Sequence, residues 1–191
     1  MTEHDSDTRL IQRSVEGDVD AFTVLVRRYE ERLTHSLEHA LGSRDDALDA
    51  AQSAFVTAWR KLSTFRQESA FYSWLYRVAM NAAISRRRKQ RISTVSLDQQ
   101  TVSAGNQAQD DRPDASPDHR MTTAEQIELI RSELGKLNEE FRQPLVLKEI
   151  DGMTYEQISE VLNIPIGTVR SRIFRARQEL TERLKRLMED G

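Results

Sequence analysis

Apolar residues recur at spacings of three and four along most of the chain, which is the spacing of one face of an α-helix. In the first half of the chain the repeat falls into three runs, which include Phe22, Phe55 and Phe71 in turn. Gly17 and Gly42 lie between periodic stretches, where helices are expected to break. The first half is therefore predicted to be all-α.

The middle of the chain, residues 93–123, lacks this periodicity. The segment is rich in Ser, Gln, Asp and Thr, contains Pro113 and Pro117, and carries a net charge of -3. Such a composition cannot bury enough apolar surface to offset the entropy of ordering the chain. We expect a flexible acidic linker, with a coil span of roughly 30 Å and an extended reach of about 100 Å. It would join two small helical domains at residues 1–92 and 124–191.

The second domain opens with a helical repeat from Ala124, followed by a helix that Asn138 is placed to cap. Pro144 falls within this next helix, where its ring removes an amide donor and crowds the previous turn. We expect the helix to start late or to bend. Asp151 and Gly152 then predict its C-terminal end.

A helix-turn-helix pattern comes next. Thr154 and Gln157 have the spacing of a capping box, which predicts the start of a short helix. Residues 163–165 (Asn-Ile-Pro) break that helix, and a longer arginine-rich helix is expected to begin near Ile166. A short helix, a tight turn and a longer helix with a basic start are typical of DNA-binding proteins of this type.

The arginine-rich helix has two faces when its residues are placed at about 100° each. The apolar stripe, which we expect to face the core, consists of Val169, Ile173, Ala176, Leu180, Leu184 and Leu187. The residues roughly opposite, which we call the recognition face, are Arg170, Ser171, Phe174 and Arg175. Arg172 and Arg177 flank the stripe on either side.

A run of arginines is most often an ordinary solvated helix face, but two observations favour DNA here. Phe174 puts a large aromatic ring on the polar face, and the charges are nearly all positive until Glu179, so pairing within the helix does not explain them. The helix start near Thr168 offers free amides to a phosphate. Arg170 and Arg175 can reach base edges or phosphates, so this helix is predicted to bind duplex DNA.

A second basic cluster, residues 86–91, ends the third periodic run of the first domain. A cationic helix end matches the helix dipole, yet five charges in six residues exceed what the dipole requires. Upstream, one face shared with Arg88 carries Trp74, Arg77 and Asn81. An aromatic ring, an amide and guanidinium groups on one surface suit unstacked bases, although Trp74 taken alone is more often a core residue.

Composition removes several classes of function. The chain has no cysteine, which excludes disulfides and thiol catalysis, and no apolar run approaches the ~20 residues of a membrane span. The four histidines are scattered and no glycine-rich phosphate loop is present. The sequence predicts a soluble cytoplasmic protein that is not an enzyme, with no cofactor and no metal site.

Two stretches together resemble the extracytoplasmic-function (ECF) group of the sigma-70 family of bacterial RNA polymerase sigma factors, most closely the RpoE-like (sigma-E) type. DDALDAAQSAFVTAWRKLSTFRQESAFYSWLYRVAMNAA (residues 45–83) is similar to sigma region 2. GMTYEQISEVLNIPIGTVRSRIFRARQEL (residues 152–180) is similar to region 4.2. Ser53 stands where the family often has an acidic residue, and Asn138 where a proline is usual.

The resemblance implies three binding surfaces. The residues that match the positions binding the β′ subunit of core RNA polymerase are Asp49, Gln52 and Phe55. Residues 63–70 and the Trp74 face match the part that captures a flipped -10 base, and the predicted -10 DNA-binding residues are Trp74, Arg77, Asn81, Arg86, Arg87 and Arg88. The predicted -35 DNA-binding residues are Thr168, Arg170, Ser171, Arg172, Phe174 and Arg175.

The resemblance also implies partners. Region 2 and region 4 would bind the β′ and β subunits of core RNA polymerase and promoter DNA, and the acidic linker would thread through the polymerase toward the RNA exit path. Members of this family are commonly held inactive by an anti-sigma factor, which is often membrane-bound.

Two other functions compete with a sigma factor. A response-type transcription regulator would carry a similar helix-turn-helix, but it predicts a receiver or ligand domain that the aromatic and basic residues 71–91 do not fit. An enzyme would need a constellation of catalytic residues. His35 and His39 share a helix face, but no acidic metal motif adjoins them.

Overall fold

The structure, a computed structural model, describes residues 6–66, 69–97 and 122–189. Within these ranges the chain forms eight α-helices and one short 3-10 helix, without a strand. The all-α prediction is confirmed.

Four helices form the first domain: α1 (Asp7–Val15), α2 (Val19–Leu41), α3 (Arg44–Lys61) and α4 (Phe71–Leu97), with the 3-10 helix Leu62–Thr64 after α3. Polar side chains cap the first three at their N-termini, since the oxygens of Ser6, Asp18 and Ser43 each accept a backbone N–H of the first turn. Gly42 ends α2 at a φ of 71°, a left-handed conformation that favours glycine. The core between the helices is filled by Leu25, Leu33, Leu37, Ala47, Ala54, Leu75, Tyr76 and Ala79.

The fourth helix continues further than the sequence suggested. α4 ends at Leu97, whereas the aperiodic segment was expected to begin at residue 93. Residues 98–121 lie outside the described residues, so the flexibility and the course of the linker stay predictions.

The second domain contains α5 (Thr123–Gly135), α6 (Glu139–Glu149), α7 (Tyr155–Leu162) and α8 (Ile166–Glu189). Thr122 begins α5 with a capping box of its own, formed with Glu125. The helical repeat that the sequence shows from Ala124 runs through Ile127, Ile130 and Leu134; Leu134 is buried, but Ile127 and Ile130 are exposed.

Pro144 does not delay the start of its helix, so the expectation of a late start was wrong. Asn138 accepts the N–H of Glu140, and α6 begins at once with Glu139. Pro144 sits inside the helix and costs it one backbone hydrogen bond. Its side chain is buried beside Leu145, so packing of an apolar ring offsets the missing bond.

The two domains pack against each other, an arrangement on which the sequence was silent. α2 contacts α5 and α6, and α4 contacts α7. The buried apolar side chains of both domains belong to one contiguous cluster.

Candidate promoter and polymerase interfaces

The helix-turn-helix forms as the sequence indicated. Thr154 accepts the N–H of Gln157, and the Gln157 side chain accepts the N–H of Thr154 at 2.8 Å, which completes the predicted capping box. Asn163 ends α7 in the left-handed conformation, at a φ of 52°. The Ser159 hydroxyl donates to the carbonyl of Ile164 at 2.6 Å and fixes the turn that leads into α8. This local network sets the angle between the two helices.

Packing settles which face of α8 points outward. Val169, Ile173 and Ala176 are buried, so the first part of the predicted apolar stripe is confirmed. Leu187, the last member of that stripe, is 43 % exposed, so the stripe is not buried along its whole length. Burial of the stripe leaves the opposite face in solvent.

The recognition face is exposed throughout. Arg170, Ser171, Phe174 and Arg175 all lie on the surface, and Phe174 keeps 62 % of its area exposed. The Ser171 hydroxyl donates to the carbonyl of Thr168 at 3.0 Å. A largely exposed phenyl ring between two arginines is unusual on a protein surface that binds no partner.

The two flanking arginines form ion pairs with glutamates of the same domain. Arg172 donates to Glu140 of α6 at 3.0 Å, and Arg177 forms an ion pair with Glu149 at the end of the same helix. Both pairs tie α8 to α6 and hold the recognition face outward. Arg172, a predicted -35 contact, therefore also has a partner within the protein.

Tyr155 of α7 lies beside this surface, although the sequence did not mark it as a DNA-binding residue. Its ring is half-buried, with the Arg170 guanidinium carbon 5.4 Å from the ring centre and the Lys148 ammonium 4.9 Å from it. A cation over an aromatic face is held in place by the ring's quadrupole. Tyr155 therefore biases Arg170 toward one position beside the recognition face.

On the first domain, an aromatic wall borders the loop after α3. The ring centres of Phe65 and Trp74 are 5.1 Å apart, and those of Phe71 and Trp74 are 5.8 Å apart. An open cavity of about 190 Å³ beside this wall is lined by Thr64, Phe65, Arg66, Ser69, Trp74 and Arg77. Trp74 is partly exposed, so it serves the wall and the cavity rather than the deep core.

Asn81 lies further along α4 and does not line this cavity. It is exposed, two helical turns beyond Trp74, which corresponds to about 10 Å along the axis. Arg77 lies between the two and is also exposed. The three side chains form one strip along α4, as their spacing predicted.

The basic cluster at the end of α4 is divided between surface and structure. Arg88 is exposed, whereas Arg86 forms an ion pair with Asp49 of α3. Arg87 is partly buried and donates to the carbonyl of Leu41 at 3.1 Å, at the C-terminal end of α2. The sequence alone could not separate these roles, because they depend on which helices α4 meets.

The predicted polymerase residues lie on α3. Gln52 is exposed, Asp49 is partly exposed and paired with Arg86, and Phe55 is buried beneath them at 9 % exposure. Large apolar side chains on the same helix are exposed as well, and these are Leu48, Val56 and Trp59. The sequence reading missed them, although Leu48 and Val56 stand one turn on either side of Gln52 and share its face.

Two other kinds of site are absent from residues 6–66, 69–97 and 122–189. None of the helices in that part of the chain is long and apolar enough to cross a membrane. The same ranges contain no group of three or more side chains suited to hold a metal ion.

Comparison with known proteins decides the family. The family model for sigma-70 region 2 matches residues 25–92, and the model for sigma-70 region 4 matches residues 127–180. The ECF RNA polymerase sigma-E factor of Haemophilus influenzae is 35% identical over 193 residues, which cover 98% of this chain and 100% of that protein. The chain belongs to the ECF sigma factors.

Further relatives of this ECF sigma factor agree. The RNA polymerase sigma-H factor of Pseudomonas aeruginosa is 36% identical over 195 residues and covers 100% of both chains. The sigma-E factor of Escherichia coli is 35% identical over 193 residues, covering 98% of this chain and 99% of that protein. The protein is thus a transcription initiation factor that directs core RNA polymerase to promoters, and it is not an enzyme.

Solved structures share the fold. The sigma factor RpoE from Bartonella quintana, in complex with the anti-sigma factor NepR, aligns with a TM-score of 0.68 and 23% identity over 87% of this chain and 98% of its own. CnrH, in complex with the cytosolic domain of CnrY, aligns with a TM-score of 0.66 and 27% identity over 95% of this chain and 98% of its own.

Proposed function

We propose that this ECF sigma factor divides promoter recognition between its two domains. The recognition face of α8 reads the -35 element as duplex, and the α4 strip of Trp74, Arg77 and Asn81 binds the -10 element as it opens. The observation that carries the proposal is the exposure of Phe174, at 62 %, on a face that also presents Arg170 and Arg175.

The -35 assignment rests on the side chains that α8 presents to solvent and on what each of them can bind. The exposed arginines can donate to guanine edges or to phosphates, and Phe174 can cover a thymine methyl group. Thr168 lies at the helix start, where free amides attract a phosphate. Arg172, once released from Glu140, adds a further contact, at the cost of an ion pair that is only partly buried.

The -10 assignment rests on the aromatic wall and its cavity. A base that leaves the stack needs an aromatic surface and polar groups on its edge. The cavity of about 190 Å³ offers Trp74 and Phe65 as the surface, and Arg66 and Arg77, which also line it, can bind the backbone. Asn81, Arg86 and Arg88 would follow the strand along α4, whereas Arg87 acts mainly by holding α2.

The polymerase assignment rests on α3. Gln52 and Asp49 supply polar contacts, and the exposed apolar residues Leu48 and Val56 supply surface that a coiled coil of the β′ subunit can bury. Phe55 supports this face from below rather than touching the partner.

We also make proposals about regulation and location. We propose that an anti-sigma factor binds this protein, since one structural neighbour was solved with an anti-sigma factor bound. We further propose that the protein works in the cytoplasm, where core RNA polymerase is found, and that the acidic linker threads through the polymerase as it does in the family.

Run-off transcription with purified core RNA polymerase tests the proposal. Arg175→Ala should weaken promoter binding by about fivefold to a hundredfold, because one arginine contact with a base edge is worth roughly 1–3 kcal/mol. Arg186→Ala is the matched control, since Arg186 is an exposed arginine on the same helix three turns further on. Unchanged promoter affinity in Arg175→Ala, with core binding intact, would remove the -35 assignment.

Asn81→Ala tests the other domain. It should impair opening of the -10 element, seen by permanganate footprinting, more than it impairs binding to closed duplex. Ile84→Ala, an exposed position one turn away on α4, is the control. Normal permanganate reactivity in Asn81→Ala would count against the base-capture role.

A further inference from the structure

Two histidines of α2 meet at the surface of the first domain. His35 and His39 are one helical turn apart, so their side chains leave the same face of the helix. The ring centres are 4.6 Å apart with the ring planes at 79°, and the two Nε2 atoms are 3.4 Å apart. His35 is exposed and His39 is half-buried. Two ring nitrogens of the same kind thus lie together at one accessible place.

The distance between the two nitrogens is the one that a shared metal ion imposes on two imidazoles. A Zn²⁺ ion binds a histidine nitrogen at about 2.0–2.1 Å and prefers tetrahedral geometry. Two nitrogens bound at that length and at the tetrahedral angle of about 109° are roughly 3.3–3.4 Å from each other. The observed separation is 3.4 Å. The pair therefore already has the spacing of a two-nitrogen metal ligand.

We propose that His35 and His39 form a binding site for a late first-row transition-metal dication such as Zn²⁺, in which both Nε2 atoms bind the ion and water completes its coordination. Imidazole nitrogen suits Zn²⁺, Ni²⁺ and Cu²⁺, whereas Mg²⁺ and Ca²⁺ prefer oxygen ligands. The sequence predicted no metal site, because no acidic metal motif adjoins the two histidines. The structure adds the observation that the sequence lacks, which is how close the two nitrogens come.

The proton balance of the site is simple. At 3.4 Å an Nε2–H of one ring can donate to the bare Nε2 of the other, so one of the two nitrogens carries a proton before an ion binds. Metal binding moves that proton to Nδ1 of the same ring, which frees the second lone pair without changing the charge of either imidazole. Burial, followed by the charge of the neighbouring His35, lowers the pKa of His39, which favours the neutral ring that a metal requires.

The surroundings of the pair carry no net charge that opposes a cation. An open cavity of about 550 Å³ is lined in part by His35, and water can enter it. The charged residues that line this cavity are three glutamates and three arginines, namely Glu30, Glu31, Glu38, Arg27, Arg44 and Arg131. Their charges cancel, so the lining as a whole neither attracts nor repels a dication strongly.

Two of these carboxylates share the helix face of the histidines. Glu31 stands four residues before His35 and Glu38 three residues after it, and these spacings bring side chains together on a helix. Zn²⁺ accepts carboxylate oxygen as well as imidazole nitrogen. In the described part of the chain no three such side chains are already gathered around one point, so a carboxylate would join only by rotating toward the ion. The two histidines with water therefore define the site.

The number of protein ligands determines how such a site behaves. Structural zinc sites have four protein ligands and catalytic ones have three. A site with two histidines binds more weakly, so its ion exchanges and its occupancy follows the metal concentration around the protein. Because the ion joins successive turns of α2 only in the folded chain, bound metal should also raise the midpoint of thermal unfolding.

The site is separate from the surfaces already assigned. None of the residues that we assign to promoter DNA or to core polymerase lines the cavity beside His35. Metal binding at this place is therefore a property beyond the proposed function, and it stands or falls on its own measurements.

Isothermal titration calorimetry with zinc chloride tests the site on the full-length protein, purified without a histidine tag and freed of metal. The wild type should bind one Zn²⁺ per chain, and magnesium chloride should give no binding. His35→Gln and His39→Gln should each weaken Zn²⁺ binding by more than about tenfold, because even the partners of metal ligands contribute about tenfold to a hundredfold to affinity. His119→Gln is the matched control and should bind Zn²⁺ as the wild type does, since His119 is a histidine outside α2.

The exposed member of the pair separates metal binding from folding. His35→Gln changes a surface residue, so its circular dichroism should match the wild type. NMR of the imidazole nitrogens gives a second readout, in which Zn²⁺ should shift the Nε2 resonances of His35 and His39 together while both Nδ1 atoms stay protonated. The rise in the unfolding midpoint with Zn²⁺ should appear in the wild type and in His119→Gln, and it should be absent from His35→Gln.

Three results would overturn the proposal. One is a wild-type protein that binds no Zn²⁺ at millimolar metal, and another is Zn²⁺ binding that His35→Gln leaves unchanged. The third is binding that His119→Gln weakens as much as His35→Gln does, because the ion would then not be held by the α2 pair. None of these results bears on promoter recognition, which run-off transcription tests separately.

Discussion

Phe174 offers a sharp test of the recognition face, because its contributions to folding and to DNA binding differ so much. The phenyl ring keeps 62 % of its area exposed in the free protein. An aromatic side chain presents about 200 Å², so roughly 120 Å² remain for DNA to cover. At about 25 cal/mol per Å², full coverage is worth about 3 kcal/mol and half coverage about 1.5 kcal/mol. Phe174→Ala should therefore weaken binding by roughly tenfold or more.

The effect on folding should be small. Substitutions at exposed positions usually change the free energy of unfolding by less than about 0.5 kcal/mol. Thermal unfolding of Phe174→Ala should therefore match the wild type. Leu187→Ala is the control, because Leu187 is an apolar residue of α8 that is 43 % exposed but lies off the recognition face.

Fluorescence anisotropy with a labelled -35 duplex at fixed salt gives the affinities of both variants. On the proposed -35 assignment the arginines meet phosphates, so raising the salt should weaken binding steeply for the wild type and for Phe174→Ala alike. Wild-type affinity in Phe174→Ala would refute the reasoning that this ring contacts DNA. Equal losses in Phe174→Ala and Leu187→Ala would refute the assignment of the face.

Three more predictions concern other parts of the molecule. Thr154→Ala should lower the free energy of unfolding by about 0.5–2 kcal/mol, because it removes the cap of α7, and a urea titration that shows no change would contradict this. Gln52→Ala should weaken binding to core polymerase in a competition assay while the affinity for -35 duplex stays constant; equal losses of both would argue for misfolding. Burial, together with the neighbouring His35, lowers the pKa of His39. The unfolded chain therefore binds this proton more readily than the folded protein does. The free energy of unfolding should fall as the pH drops below the pKa of an ordinary histidine. His39→Gln should lose less stability than the wild type between pH 7.5 and 5, and parallel losses would exclude His39 as the cause.

Local features of the second domain were readable in advance. The capping box of Thr154 and Gln157 needs only residues three apart, and the buried stripe of α8 needs only the helical repeat. Both are properties of a short stretch of chain, so the sequence predicts them. The expectation that Pro144 would delay the start of α6 was wrong because tertiary packing compensates for the lost backbone hydrogen bond. The proline ring fills part of the core, and a rule based on neighbouring residues cannot predict that.

Side-chain pairings between different helices could not be predicted from the sequence. Arg86 and Arg87 stand side by side in a basic run, yet one meets Asp49 and the other the end of α2. Asp151 read as a turn residue, because the donors that surround it come from residues more than seventy positions away in the chain. The docking of the domains depends on these distant partners, and the sequence left it open for that reason.

The connection between α6 and α7 has a consequence for building new regulators. It carries Asp151 toward the first domain, while the residues that we propose select DNA lie on the exposed side of α8. Promoter choice and domain docking therefore occupy separate parts of one domain. On the proposed -35 assignment, a chimera that receives the α8 surface of another sigma factor and keeps Asp151 and Arg142 should change its promoter choice while keeping its contacts with the first domain.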